Sequence, residues 1–172
     1  MKLSEVKATE YNNFYAGYID PLPKDLELLE GFKKGKKSII KFLKSIPDNK
    51  LNFKYQSRKW SVKEVIQHII DTERIMMYRC FRIAREDKTP LSGFDENTYI
   101  IPSAANKKTI TKLIDEYESN RNNSIVLINS LSDMNLRFIG ESSNYPLSAR
   151  AVAFITLGHE VWHKKIIKER YL

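Results

Sequence analysis

The pentapeptide His159-Glu160-Val161-Trp162-His163 concentrates the side chains best suited to chemistry. Two imidazoles four residues apart on a helix lie one above the other, about 6 Å apart along the axis. That is metal-ligand spacing. The chain has three histidines in all, and the third, His68, lies on another segment of helical apolar periodicity. If the two segments are neighbours, every imidazole can meet at one point. A buried imidazole must find partners, so three of them on inward stripes ask for a divalent ion. The alternative is three separate histidines, each satisfied by a carbonyl or a hydroxyl. The pentapeptide also has the form H-E-x-x-H, in which Glu160 would be the general base of a zinc protease. Only Lys164 to Leu172 follow it, Glu169 is the one carboxylate among them, and no strand is expected nearby, so the protease reading is disfavoured.

Positioning these groups requires long helices. Apolar residues near helical spacing predict a first helix over Lys24 to Lys44, closed by Pro47, although Gly31 and Gly35 weaken it. Leu51, Phe53 and Tyr55 alternate with polar residues, so part of that connector is expected to run extended. Trp60, Ser61 and Glu64 form a hydrophobic staple and capping box, starting a second helix that should run from Val62 to about Arg85. His68 shares a line on it with Val65, Thr72, Ile75, Arg79 and Arg82, a mixture that suits a pocket wall. For the arginines alone, snorkelling to the surface and pairing with acids is the simpler account. Residues 86–106 carry Pro90, Gly93 and Pro102 and hold no expected helix beyond a turn near Ile101 to Asn106. A connection this long can cross the bundle and join two parallel helices. A third helix is expected over Lys108 to Leu131 and, after a loop through Gly140, Asn144 and Pro146, a fourth from Ala149 to Tyr171, capped by Ser148. The reading is therefore an all-α four-helix bundle forming a single domain over residues 1–172, with residues 1–22 as an aromatic N-terminal arm.

Composition narrows the function classes. The net charge of +8 raises nucleic acid as a partner. The lysines, however, are spread over separate segments among acids, and no DNA-binding motif accompanies them. No stretch is long and apolar enough to span a membrane, and no signal-peptide pattern opens the chain. A lone cysteine, Cys80, excludes an internal disulfide framework and fits a cytoplasmic setting.

The run from Trp60 to Arg74, the segments Arg79 to Arg85, Asp87 to Leu91 and Gly93 to Glu96, and the finish from Gly158 to Leu172 resemble, in the same order, the DinB-like (YfiT-type) four-helix-bundle metalloproteins. The resemblance implies an up-down-down-up course with a long crossover between helices two and three. It implies metal ligands at His68, His159 and His163, with Trp162 standing where relatives often place another histidine. It also implies homodimerisation and, for some members, thiol S-transfer using a low-molecular-weight thiol such as bacillithiol. Three neutral imidazoles leave a dication an open position and favour an anionic fourth ligand. Hydroxide there gives a hydrolase, and thiolate gives thiol transfer to an electrophile. Zinc or nickel suits such a site, with iron or manganese as further candidates. The expectation is a metal-dependent thiol-transferase-type enzyme acting on a small-molecule thiol and electrophile, with Arg79 and Arg82 binding an anionic substrate and Glu160 or Asp71 as base. The alternatives are a metal-dependent hydrolase and a non-catalytic stress-response or binding protein.

Overall fold

The computed structural model describes residues 1–172. Four long helices dominate: α2 (Leu28–Lys44), α3 (Val62–Ala84), α5 (Ile110–Ser130) and α7 (Ala149–Arg170). Short pieces join them: α1 (Ala16–Ile19), α4 (Glu96–Ser103), α6 (Asp133–Arg137), and a hairpin of β1 (Ile139–Ser142) and β2 (Tyr145–Ser148).

Contacts between named residues give the course of the chain. Along α2 and α7, Gly31 faces Leu157, Gly35 faces Glu160 and Ser38 accepts from Lys164, so these helices are parallel. Gln67 pairs with Glu116 and Glu73 with Arg121, which makes α3 and α5 parallel as well. Tyr171 donates to the Trp60 carbonyl at one end, and His68 meets His159 further along, so α3 and α7 are antiparallel. The bundle runs up-down-down-up, and residues 85–109 form the crossover between α3 and α5.

The capping box at α3 is formed as read: Ser61 Oγ accepts from the Glu64 N–H, and the Glu64 carboxylate accepts from the Ser61 N–H at 2.7 Å. Several local expectations are corrected. The first helix starts at Leu28, because residues before it are drawn into a bridge between Lys2 and Glu27. No strand forms over 51–55; the chain turns there, and the Leu51 carbonyl accepts from Lys63. Within the crossover, Asp95 caps α4, a helix absent from the reading, and Pro102 sits in its last turn. The loop before α7 contains a two-residue hairpin turn in which Ser143 and Asn144 both have positive φ, the primed geometry that matches strand twist.

The first twelve residues of α7 are buried all round, since α1, α2, α3 and the hairpin enclose them. The arm is tied down by Glu10, whose buried carboxylate accepts from Arg150 and Ser148. It then passes so close to α7 that a Cβ at residue 158 would lie 2.0 Å from the Tyr18 carbonyl oxygen. Gly158 is therefore the condition for the arm's position. Gly158→Ala should lower stability by about 2–3 kcal/mol and make residues 1–22 cleavable by trypsin under native conditions; an unchanged unfolding midpoint and an intact arm would contradict this packing.

Candidate metal centre

The antiparallel contact of α3 with α7 brings all three histidines together. His68 Nε2 lies 3.0 Å from His159 Nε2 and 3.1 Å from His163 Nε2, and the three rings are buried. An ion bound tetrahedrally at ~2.0–2.1 Å from each nitrogen would separate such atoms by ~3.3 Å, so the observed donor set fits a dication with small adjustment. Neutral imidazoles alone fit poorly, because three facing nitrogens cannot all be paired by the protons they share. Thr72, one turn beyond His68, holds the other nitrogen of that ring at 3.4 Å, while His163 Nδ1 is buried without a partner.

Aromatic rings enclose the cluster. Trp60 lies 4.8 Å from the His68 ring, Trp162 stands edge-on to His163 at 4.6 Å, and Tyr18 stands edge-on to His159 at 5.4 Å. These and Phe14 line a cavity of about 380 Å³ with the histidines on one wall. Tyr18 and Phe14 belong to the arm, whose role the sequence left unread, and Trp60 was legible only as a staple. Their placement is set by long-range packing, which local patterning does not report.

The four remaining site candidates separate. Glu160 is directed away from the cavity into a buried network: Arg121 Nη2 donates to Glu160 Oε2 at 2.5 Å, and Tyr117 donates to the same oxygen at 2.7 Å. Arg121 also grips Glu73 through two bonds of 2.7 and 2.8 Å, and Ser124 donates to Glu73. Burial would lower the Arg121 pKa, but Glu160 and Glu73 raise it well above its ordinary value. Burial raises that of Glu160, against the pull of Arg121. Asp71 binds Gln67 and Arg74 and lines a different, shallow depression. Arg82 is paired with Asp87 and Tyr78 outside the cavity, as a snorkelling arginine should be. Arg79 departs from that account: it is 3% exposed and lines the histidine cavity. The cavity holds one carboxylate, Glu96, which makes no ion pair or side-chain hydrogen bond. Its helix was not foreseen, so neither was its position. Cys80 is enclosed, and burial pushes its thiol up to about 12, so it is no nucleophile.

Residues 32–167 match the family described as the DinB superfamily. The chain belongs to the DinB superfamily. The bundle is similar to that of YfiT from Bacillus subtilis, described as a probable metal-dependent hydrolase with an unusual four-helix bundle topology. The TM-score is 0.72 at 14% identity, covering 83% of this chain and 82% of that one. No curated protein matches the chain. No helix of this DinB-superfamily bundle is long and apolar enough to cross a membrane.

Burial holds the imidazoles in the neutral form that a cation requires. It lowers His68 to about 4 and, with His68 as a second cause, His163 to about 3; His159 is lowered well below its ordinary value by burial and then by both neighbours. An unfolded histidine takes up its proton near 6.5, so between that pH and about 4 the unfolded chain binds more protons than the folded one. The metal-free protein should hold its full stability above pH ~6.5 and lose it progressively as the pH falls toward 4. Thermal unfolding across that range measures this, and His68→Phe should flatten the profile. A wild-type midpoint independent of pH there would contradict a buried neutral cluster.

Proposed function

We propose that this protein is a metal-dependent enzyme for small molecules, of the thiol S-transferase type, with His68, His159 and His163 as ligands to zinc or nickel. The observation that carries the reading is three convergent neutral imidazole nitrogens inside an aromatic cavity, with the neighbouring carboxylate of Glu160 turned away and held by Arg121 and Tyr117. A bound ion would supply Lewis acidity and lower the pKa of a coordinating thiol so that its proton is released to solvent, so thiol transfer needs no carboxylate base beside the histidines.

The chain's own groups do the rest. Trp60, Trp162 and Tyr18 keep bulk water from the histidines and present an apolar wall to the electrophile. Arg121 and Tyr117 hold Glu160 in place, giving it a positioning role along α7. In the transfer, a sulfur–carbon bond forms as the carbon–leaving-group bond breaks; the leaving group departs with its electron pair and the thiol proton passes to solvent.

Metal-dependent hydrolysis is the second reading, and Glu96 favours it: a free carboxylate in the cavity wall can take a proton from water. One preparation separates the two. Elemental analysis should find about one zinc or nickel ion per wild-type chain and none in His163→Ala, whose helical circular dichroism is retained. The loaded protein should then accelerate displacement of bromide from bromobimane by a small thiol, unaffected by Glu96→Gln. Full metal content in His163→Ala would sink the ligand assignment. Ester hydrolysis lost in Glu96→Gln, with no thiol transfer, would establish the second reading.

A further inference from the structure

Arg79 is the one buried guanidinium without a carboxylate. Arg121 sits on Glu73 and Glu160, and Arg150 sits on Glu10, but no acid lies within ion-pair distance of Arg79. Its Nη2 donates to the Ser92 carbonyl at 2.8 Å, its Nη1 reaches the Met76 sulfur at 3.7 Å, and its Cζ lies 5.7 Å from the centre of the Phe94 ring. A guanidinium has five N–H donors, so three are left without a protein acceptor. No nitrogen of Arg79 is both shut from solvent and without a partner, so its unused donors stay accessible to a ligand. The crossover segment Ser92 to Phe94 holds the guanidinium against the cavity that contains the histidines.

Helix geometry fixes the separation. His68, Thr72, Met76 and Arg79 follow one another along the α3 wall of that cavity, at intervals that keep side chains on one face. Eleven residues at ~1.5 Å each place the two Cα atoms ~16 Å apart, and the N-terminal lean of the arginine side chain leaves roughly 10–13 Å between guanidinium and imidazole nitrogens. The cavity volume of about 380 Å³ lies within the range of small-molecule sites.

We propose that the cavity selects an elongated small molecule whose far end is a carboxylate held by Arg79, while its reacting end lies at the histidines. The inference rests on the proposed function for the identity of the reacting end, and on Arg79 alone for the anion. Arg82, tied to Asp87, takes no part. The substrate is thus recognised by length as well as charge: a carboxylate carried close to the reacting atom cannot reach Arg79, whereas one at the end of a chain of about eight carbons can.

The chain's two tryptophans, Trp60 and Trp162, both line the cavity, so intrinsic fluorescence reports occupancy with or without metal. Octanoate, octylamine, mercaptopropionate and mercaptooctanoate are titrated into wild type and Arg79→Gln, metal-free and cobalt-loaded, with the sulfur-to-cobalt absorption band recorded for the thiols. Octanoate should bind wild type, and any binding of octylamine, for which the free Glu96 carboxylate of the same cavity is the available partner, should be insensitive to Arg79→Gln. Arg79→Gln should weaken octanoate and mercaptooctanoate by about tenfold or more and change mercaptopropionate by less than about twofold. Arg79→Lys should recover part of the loss, and matching circular dichroism and unfolding midpoints verify the fold. Equal affinity of wild type and Arg79→Gln for octanoate, or no octanoate binding to wild type, would overturn the anchor, whatever the thiols do. Arg79-dependent octanoate binding without a sulfur-to-cobalt band would uphold the anchor and refute the thiol reading instead.

Discussion

The ion network centred on Arg121 sets the register of the bundle. One guanidinium, fully enclosed, joins Glu73 of α3 to Glu160 of α7 from its own position on α5. Breaking a buried pair of this kind typically costs about 3–5 kcal/mol, because the partner is left charged and alone, so three helices are held at one relative height. That height is what the histidines need. His68 lies five residues before Glu73, and His159 and His163 flank Glu160, so the contact that fixes the carboxylates also fixes the imidazoles. Gly35 completes the arrangement, since a Cβ there would lie 2.9 Å from the Glu160 carboxylate and 3.0 Å from Arg121. The glycines that weaken α2 as an isolated helix let it close on the network.

Two carboxylates share that single guanidinium, and Ser124 and Tyr117 supply further donors. The network lies behind the α7 wall of the cavity, while the aromatic cluster and the neutral imidazoles lie in front. One helix thereby separates a charged, internally satisfied region from a pocket whose donors are unsatisfied by protein. The arm closes that pocket from outside, and it can do so because Gly158 lets the Tyr18 backbone touch α7.

Much of this was legible in the sequence, for stated reasons. Long apolar periodicities gave four helices, the Ser61 to Glu64 capping box placed the start of α3, and the length of the 85–109 connection pointed to parallel neighbours. Shared inward stripes allowed His68 to meet the later pair but left three separate histidines as the alternative; the antiparallel contact of α3 with α7 decides between them. What was missed depends on packing or on weak local signals. Helix α4 has a good cap in Asp95 but only eight residues, mostly polar, with a proline in its last turn. The hairpin turns at Ser143–Asn144 without the glycine that usually announces such a turn. Glu160 could be aimed at the metal or away from it, and only the position of Arg121 decides. Arg79 and Arg82, three residues apart, looked equivalent; Asp87 draws the second outward, while the Ser92 carbonyl receives the first.

In the proposed reading, the network-fixed register of α3 and α7 makes three histidines into one metal site. The direct measurement is the X-ray absorption spectrum of the zinc-loaded protein in solution. The account predicts three imidazole nitrogens at ~2.0–2.1 Å from one zinc ion, plus an oxygen or sulfur scatterer from the open position. A spectrum with one imidazole or none, or zinc that leaves on simple dialysis, would contradict it.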